Sequence, residues 1–429
     1  MLDPKFIREN PGTVKQAMKD RFDDPSIVDR FLEVDASRRE LIQKAEELKS
    51  EKNRASKEIG RIAREGGDVE AAKAGLGGMS ERIKALDEEV RMVEKQYGDI
   101  LDNIPNIPHE SVPVGEDESA NTLVKESGKR IEHGFEARDH LSIGEICGLF
   151  DLERGAKISG SGFPVLTGQG AKLERALINY MLDVHIEDHG YREIFPSLMV
   201  NSSTMRGTGQ LPKFDDDLYR IKDEDLYLIP TAEVPVTNMH AGEIIPEERL
   251  PVYYTAYTAC FRKEAGSYGK DTRGLIRVHQ FDKVEMVKFV TPETSMEEHE
   301  KLLKDAEDII ERLGLPYRVL TLSSGDMSFA AHKCYDIELW APGTGKWLEV
   351  SSCSVFSDFQ ARRAGIRYRP TGGGKPEYVH TLNASGVALP RLVIALLETY
   401  QNEDGSVTVP EPLRRYFGKD VIEPEKGAE

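Results

Sequence analysis

From about residue 27, apolar residues recur every seven positions, at Ile27, Val34, Leu41, Leu48, Ala55 and Ile62. A second series, Phe31, Ala45 and Ile59, follows members of the first by four residues. Such an a/d seam predicts one long helix of a coiled coil. Glu65-Gly-Gly-Asp68 interrupts the pattern, and the seam resumes as Leu76, Met79, Ile83, Leu86, Val90, Val93, Tyr97, Ile100 and Ile104. Two long helices joined by a short Gly turn predict an antiparallel hairpin. At ~1.5 Å per residue the first would run ~55–60 Å, longer than a small domain is wide, which makes it an arm and not a core element.

Residues 103–117 are Pro-rich and irregular and predict a linker, dividing the chain into an N-terminal domain, 1–110, and a second domain, 111–429. Helical periodicity returns over 171–189. Short β-rich runs then follow at 193–199, 225–230, 253–262, 275–290, 317–322, 335–340, 347–353 and 378–382, before a last helix over about 387–402. The runs 253–262 and 275–290 face each other across a Gly-rich loop, as in a hairpin. The fold class expected is α+β: an antiparallel α-helical coiled-coil arm followed by a domain built on an antiparallel sheet flanked by helices.

Composition narrows the function classes. A chain of 429 residues with 39% hydrophobic and 31% charged residues has room for two domains, and no apolar run approaches membrane-spanning length. The opening MLDPKFIREN lacks the apolar stretch of a secretory signal, so a cytoplasmic protein without membrane association is expected. Cys147, Cys260, Cys334 and Cys353 form no CxxC pair, against both a disulfide framework and a Cys-based zinc site. The net charge of −18 argues against nucleic-acid binding by the whole surface. The first long helix reverses the sign: residues 38–64 hold nine basic against five acidic residues, Arg38, Lys52, Arg54, Lys57, Arg61 and Arg64 among them. On the residues alone this is either the solvated face of a coiled coil or a projecting surface for a long anion such as RNA.

The densest chemistry lies in residues 260–287, where Arg262, Lys263, Lys270, Arg273, Arg277 and Lys283 are interleaved with acids. Read as a strand, 275–290 places Arg277, His279, Phe281, Lys283 and Glu285 on one face, with Phe281 and Glu285 ~13 Å apart. Arg262 and Glu264 share a face of the partner strand by the same alternation. Arg presents a planar fork suited to phosphate or carboxylate, and Glu can accept from an exocyclic amine. Farther on, alternation pairs Glu349 with Ser351, oxygen ligands suited to Mg²⁺. Ser385-Gly386 leads through Pro390 to Arg391, the one charged residue opening an apolar helix. Gly343-Thr-Gly-Lys346 and Gly372-Gly-Gly-Lys375 lack the remaining residues of a P-loop, and His185 and His189 lack the Glu position of a zincin and read as structural.

Taken together, these residues resemble the seryl-tRNA synthetases of the bacterial type, which are class II aminoacyl-tRNA synthetases, over essentially the whole chain. Gly190-Tyr-Arg-Glu-Ile-Phe-Pro196 is similar to the first class II motif, Phe261-Arg-Lys-Glu264 through Phe281 to the second, and Gly386 through Arg391 to the third. Thr231-Ala232-Glu233 resembles the loop that holds serine. Pro390 departs from the Gly common before the motif Arg, which bears on local helix geometry only.

The resemblance implies ATP and Mg²⁺ as substrate and cofactor, L-serine and tRNA(Ser) as substrates, tRNA(Sec) as a further one, and a homodimer. It implies that Arg262 bridges the α-phosphate and the serine carboxylate, Glu264 meets the adenine amine, and Phe281 and Arg391 sandwich the ring. Arg277 would bind the terminal phosphates, Glu349 and Ser352 would hold Mg²⁺, and Lys263, Val278, Val350 and Ser351 would line the ATP site. Thr231, Ala232, Glu233, Arg262, Glu285, Asn383 and Ser385 would contact serine, and Ala265–Gly274 would gate the tRNA end. The hairpin would reach across the dimer to the long variable arm of the tRNA, reading shape and backbone. Two rivals remain: a paralogue that loads an acceptor other than tRNA, and a non-catalytic coiled-coil protein. The first is expected to lack the arm and the second to have lost motif residues.

Overall fold

The computed structural model describes residues 1–66, 68, 70–265 and 273–425. Lys270, Gly67 and most of the stretch Ala265–Gly274 fall outside the described residues. The chain divides into two compact units, Leu2–Pro105 and Asn106–Glu429.

In the first unit, α1 (Ser26–Arg64) and α2 (Glu70–Asp102) pack along their lengths. The ion pairs Arg38–Glu94 (3.1 Å) and Lys49–Asp87 (2.7 Å) run in opposite senses along the two helices, which makes the hairpin antiparallel. At its base Val28, Phe31 and Ala45 are buried and Phe31 meets Tyr97 ring to ring at 5.3 Å. Val28 is buried more deeply than its seam neighbour Ile27. Asp35 is buried too, and is neutralised by Arg8 (3.3 Å), from the short helix Pro4–Glu9, and Arg39 (3.0 Å). Beyond it Leu48, Ala55 and Ile62 are only half-buried, as two helices without a third must leave them.

The second unit is built on an eight-stranded sheet. Its strands are β1 (Thr122–Ser127), β2 (Arg192–Glu193), β3 (Val252–Phe261), β4 (Gln280–Val290), β5 (Tyr317–Thr321), β6 (Lys333–Ala341), β7 (Lys346–Val355) and β8 (His380–Ala388). They lie in the order β1-β5-β6-β7-β8-β4-β3-β2, antiparallel except for β2 beside β3. Helices α3 (Gly168–Glu187), α4 (Glu233–Asn238), α5 (Ser295–Arg312), α6 (Phe359–Ala364) and α7 (Leu389–Thr399) pack around it. Leu302, Ala306, Ile309 and Ile310 of α5 and the apolar run Leu392–Leu397 of α7 join strand residues such as Met286, Ile337 and Val355 in the main core.

The α+β reading therefore holds, with local corrections. The run 275–290 becomes a strand only at Gln280: a turn in which Ile276 N–H bonds Arg273 O takes residues 275–279 out of the ladder. Arg277 and His279 thus owe their position to that turn and not to strand alternation. The run 193–199 splits into two short strands around Pro196, which lacks the N–H a ladder needs. The helix expected over about 387–402 runs from Leu389 to Thr399, because β8 extends through Ala388, and it is not the last: a short helix, Glu411–Phe417, follows it. Helix α5 was not expected from the sequence, although its apolar spacing is helical.

Candidate active site

Strands β3, β4, β7 and β8 carry the site. On β4, Phe281, Lys283 and Glu285 share a face as alternation requires. Lys283 Nζ lies 2.5 Å from Glu285 Oε2 and donates to Thr231 Oγ1 at 2.8 Å. From β8, Asn383 Nδ2 donates to the other Glu285 oxygen at 2.6 Å. All four side chains are buried, so Glu285 is a compensated charge.

Glu233, at the start of α4, enters the same cluster with a weaker partner. Its Oε1 accepts from Gln360 Nε2 at 2.6 Å, while burial and then the charge of Glu285 raise its pKa to about 7 against the pull of Gln360, Lys283 and Arg262. Two carboxylates face one ammonium here. Arg262 is the other cation that acts on Glu233, and Thr231 and Ser385 are buried as well.

Arg262, within electrostatic reach of Glu233, leads to the next group of side chains. The Arg262 guanidinium stands 5.2 Å over the Phe281 ring, and its Nε donates to Pro230 O at 3.3 Å. Arg262 and Glu264 lie past the end of β3, so the alternation that paired them does not apply. Glu264 takes φ +52° and accepts from Arg277 at 2.8 Å. Lys263 is exposed, 5.9 Å over the Tyr219 ring. Val278 and Val350 are core residues with buried side chains.

On β7 a bulge overturns the pairing of Glu349 with Ser351. Ile337 pairs with Ser351 but Glu338 with Glu349, so Val350 is the extra residue and the alternation slips by one. Ser351 is buried and donates to Ser385 O at 2.5 Å, whereas Ser352 comes within 3.3 Å of Glu349. The Ser352 hydroxyl has a closer acceptor in Asp336, at 2.6 Å. With its hydrogen directed to Asp336 in that bond, the Ser352 oxygen keeps lone pairs for a cation, so Glu349 and Ser352 fit Mg²⁺ as a hard-oxygen pair. Among the described residues no group of three or more His, Cys, Asp or Glu side chains could hold a metal by itself. Burial pushes the Glu349 carboxyl up, but Arg391, Arg262 and Ser352 together hold it below its ordinary value. Arg391, opening α7, donates to Glu349 O at 2.8 Å, lies 3.3 Å from its carboxylate, and reaches Ile276 O through Nε at 3.2 Å.

Behind the site, His185 Nε2 lies 2.9 Å from Gly386 O, and a Cβ at 386 would come within 2.4 Å of that nitrogen. Glycine is required there by close approach. Burial lowers the His185 pKa to about 3, so the ring is neutral and donates through Nε2. Both histidines are structural here: His189 spans from His185 (3.0 Å) to Asp308 (2.9 Å).

Residues 1–108 match the family described as Seryl-tRNA synthetase N-terminal domain, and residues 214–400 match tRNA synthetase class II core domain (G, H, P, S and T). A serine–tRNA ligase of Nitratidesulfovibrio vulgaris is 55% identical over 97% of this chain and 98% of its own. The chain belongs to the seryl-tRNA synthetase family. Among solved structures of that family, the enzyme from Pyrococcus horikoshii complexed with ATP superposes with TM-score 0.91 at 40% identity, covering 99% of this chain and all of that one. The cytoplasmic serine–tRNA ligase of Naegleria fowleri in complex with AMP gives 0.86 at 32%, covering 99% of each chain.

Sequence reasoning did not find Gln360 or Asp336, and gave Lys283 a face but no place beside Glu285 and Thr231. Lys283 stood on the right strand to be found. The others hold functional groups through contacts that no spacing encodes.

Proposed function

We propose that this chain activates L-serine with ATP and transfers the seryl group to the 3′-terminal adenosine of tRNA(Ser). The observation that carries the reading is that two buried carboxylates, Glu233 and Glu285, converge on the single buried ammonium of Lys283 near Thr231, with Glu285 on the same strand as Phe281 of the Arg262–Phe281 pair. A serine ammonium would favour the ionised form of Glu233 and pair with it. In this reading Arg262 holds the serine carboxylate and the α-phosphate together, which its planar guanidinium suits. The naming of the relatives as serine–tRNA ligases supports the substrate, and the presence of the N-terminal domain favours tRNA over another acceptor.

In the first step a serine carboxylate oxygen attacks the α-phosphorus in line, the bond to the β-phosphate bridging oxygen breaks, and pyrophosphate leaves. In the second, a terminal ribose hydroxyl of the tRNA attacks the acyl carbon, loses its proton and displaces AMP. No side chain acts as nucleophile; positioning and charge stabilisation carry the reaction. ATP binding exchanges the Arg277–Glu264 ion pair for two new contacts, Arg277 with the terminal phosphates and Glu264 with the adenine amine. Phe281 and Arg391 flank the ring. Glu349 and Ser352 would hold Mg²⁺, which when bound neutralises charge on the phosphates.

On the arm, Arg38 is engaged by Glu94 and the Tyr97 ring, and Arg61 by Glu58 and Glu65. Lys52, Arg54, Lys57 and Arg64 have no ion-pair partner among the described residues, and we assign them to the tRNA backbone. tRNA(Sec) is a further substrate by the same shape recognition. Phe195, 81% exposed beside Pro196, with Leu198 and Met199, offers an apolar surface suited to a second copy, as a homodimer requires. No helix among the described residues is long and apolar enough to cross a membrane, and we place the enzyme in the cytoplasm.

The test is ATP–pyrophosphate exchange with serine, threonine, alanine and glycine, followed by charging of tRNA(Ser). Exchange with serine alone, and then charging, supports the reading. Exchange with a different amino acid overturns the pocket assignment, and exchange without charging returns the other-acceptor rival.

A further inference from the structure

Gln360 is completely buried in α6, where an amide must find partners for both ends or cost stability. Its oxygen accepts from Thr381 Oγ1 at 2.7 Å. Its nitrogen donates to Glu233 Oε1 at 2.6 Å and to Thr208 O at 3.3 Å. Each bond fixes the direction of the next. A Thr hydroxyl that donates leaves the Gln oxygen as acceptor, so the NH₂ can turn only toward the carboxylate and the Thr208 carbonyl. Hydrogen-bond polarity is thereby transmitted from β8, through α6, to the first residue of α4.

We propose that Gln360, oriented by Thr381, is a positioning residue for the amino-acid pocket: it fixes one oxygen of Glu233 and leaves the other aimed at the substrate serine. This rests on the reading that Glu233 contacts serine. The alternative, that Gln360 only fills the core, does not account for the direction of the chain. An apolar residue of the same volume would fill that space without leaving any amide to satisfy.

The groups facing Glu233 are Glu285 and Lys283 from β4, Arg262 beyond β3 and Gln360 from α6. Of these, the neighbouring Glu285 favours the protonated carboxyl, whereas Gln360, Lys283 and Arg262 favour the carboxylate. Removing Gln360 therefore shifts the acidic limb of serine binding to higher pH, which loss of packing alone does not do.

The experiment measures serine KM and ATP KM by pyrophosphate exchange from pH 6 to 9, with Tm, for Gln360→Met, Thr381→Val, Thr381→Ser and Glu233→Gln. Expected is a rise of roughly tenfold or more in serine KM for Gln360→Met, the size of a lost bond to a charged group, with ATP KM nearly unchanged and the acidic limb moved upward. Thr381→Val should show the same pattern more weakly, and Thr381→Ser, which keeps the hydroxyl, should restore it. If Gln360→Met and Thr381→Val, folded by Tm, leave serine KM and its pH limb at wild-type values while Glu233→Gln raises KM, Gln360 is packing and the proposal is overturned. If Glu233→Gln itself leaves serine KM unchanged, the pocket reading fails first and takes the proposal with it. Should Gln360→Met fail to fold, the Thr381 pair decides alone.

Discussion

Asp217 brackets Glu264. Its carbonyl accepts the Lys263 N–H at 2.9 Å and its carboxylate accepts the Ala265 N–H at 3.0 Å. Between these two bonds Glu264 is held at φ +52°, a conformation that side chains other than Gly rarely adopt and that surroundings must enforce. The strained residue is the one assigned to adenine.

Asp217→Ala should remove the carboxylate half of that bracket, the main-chain carbonyl bond to Lys263 N–H remaining, and raise the ATP KM roughly tenfold, the size of one lost hydrogen bond to a charged group. Asp217→Asn keeps an acceptor oxygen and should lose less. Exchange kinetics at varied ATP check this, with serine KM as the control that should stay put.

Glu233 links function to stability through pH. Its folded pKa of about 7 stands above its ordinary 4.5, so between those values the folded protein binds more protons than the unfolded chain. Its contribution to stability is present below about pH 4.5 and is lost as pH rises through 7. Glu233→Gln removes the dependence: little change is expected at pH 4.5, and a gain on the order of 3 kcal/mol by pH 8, at ~1.4 kcal/mol per pKa unit. Denaturant melts of both proteins at the two pH values measure it; an equal difference at both would show that Glu233 is not held this way.

Asp336 should matter to the cation without touching it. By accepting the Ser352 hydroxyl hydrogen bond at 2.6 Å it leaves the lone pairs of that oxygen free for Mg²⁺ beside Glu349. Asp336→Ala should raise the Mg²⁺ concentration for half-maximal exchange roughly tenfold, as loss of an outer partner of a metal ligand does. Ser352→Ala should do the same, and the double variant little more, since the two act through one oxygen.

The arm should be separable from adenylate chemistry. Replacing Lys52, Arg54, Lys57 and Arg64 together by Ala is expected to lower kcat/KM for tRNA charging by roughly tenfold or more at physiological salt, with pyrophosphate exchange unchanged. Arg61→Ala should cost less than any one of them, because its guanidinium is already shared by Glu58 and Glu65. Charging and exchange assays at two salt concentrations separate the outcomes.

Much of this architecture is written in local pattern. The heptads of the hairpin, the alternating runs of β3 and β4, and the apolar period of α7 each follow from the side-chain period of a single element, so Phe281, Lys283, Glu285 and Arg391 could be placed from the chain alone. Where the backbone leaves its period, the reading slips. The bulge at Val350 exchanged Ser351 for Ser352 beside Glu349, and the turn before Gln280 took Arg277 out of a strand. Pairings such as Asp217 with Ala265, Gln360 with Glu233 and Asp336 with Ser352 join separate elements, and no periodicity records them. By itself, then, the sequence determined the hairpin, the strands β3 and β4 and which of their faces carry the charge, because these depend on neighbours three, four or two residues away. Only the tertiary structure decided which carboxylate is compensated, which hydroxyl can meet a cation and which amide orients the pocket, because hydrogen-bond direction in a buried site depends on groups that folding alone brings together.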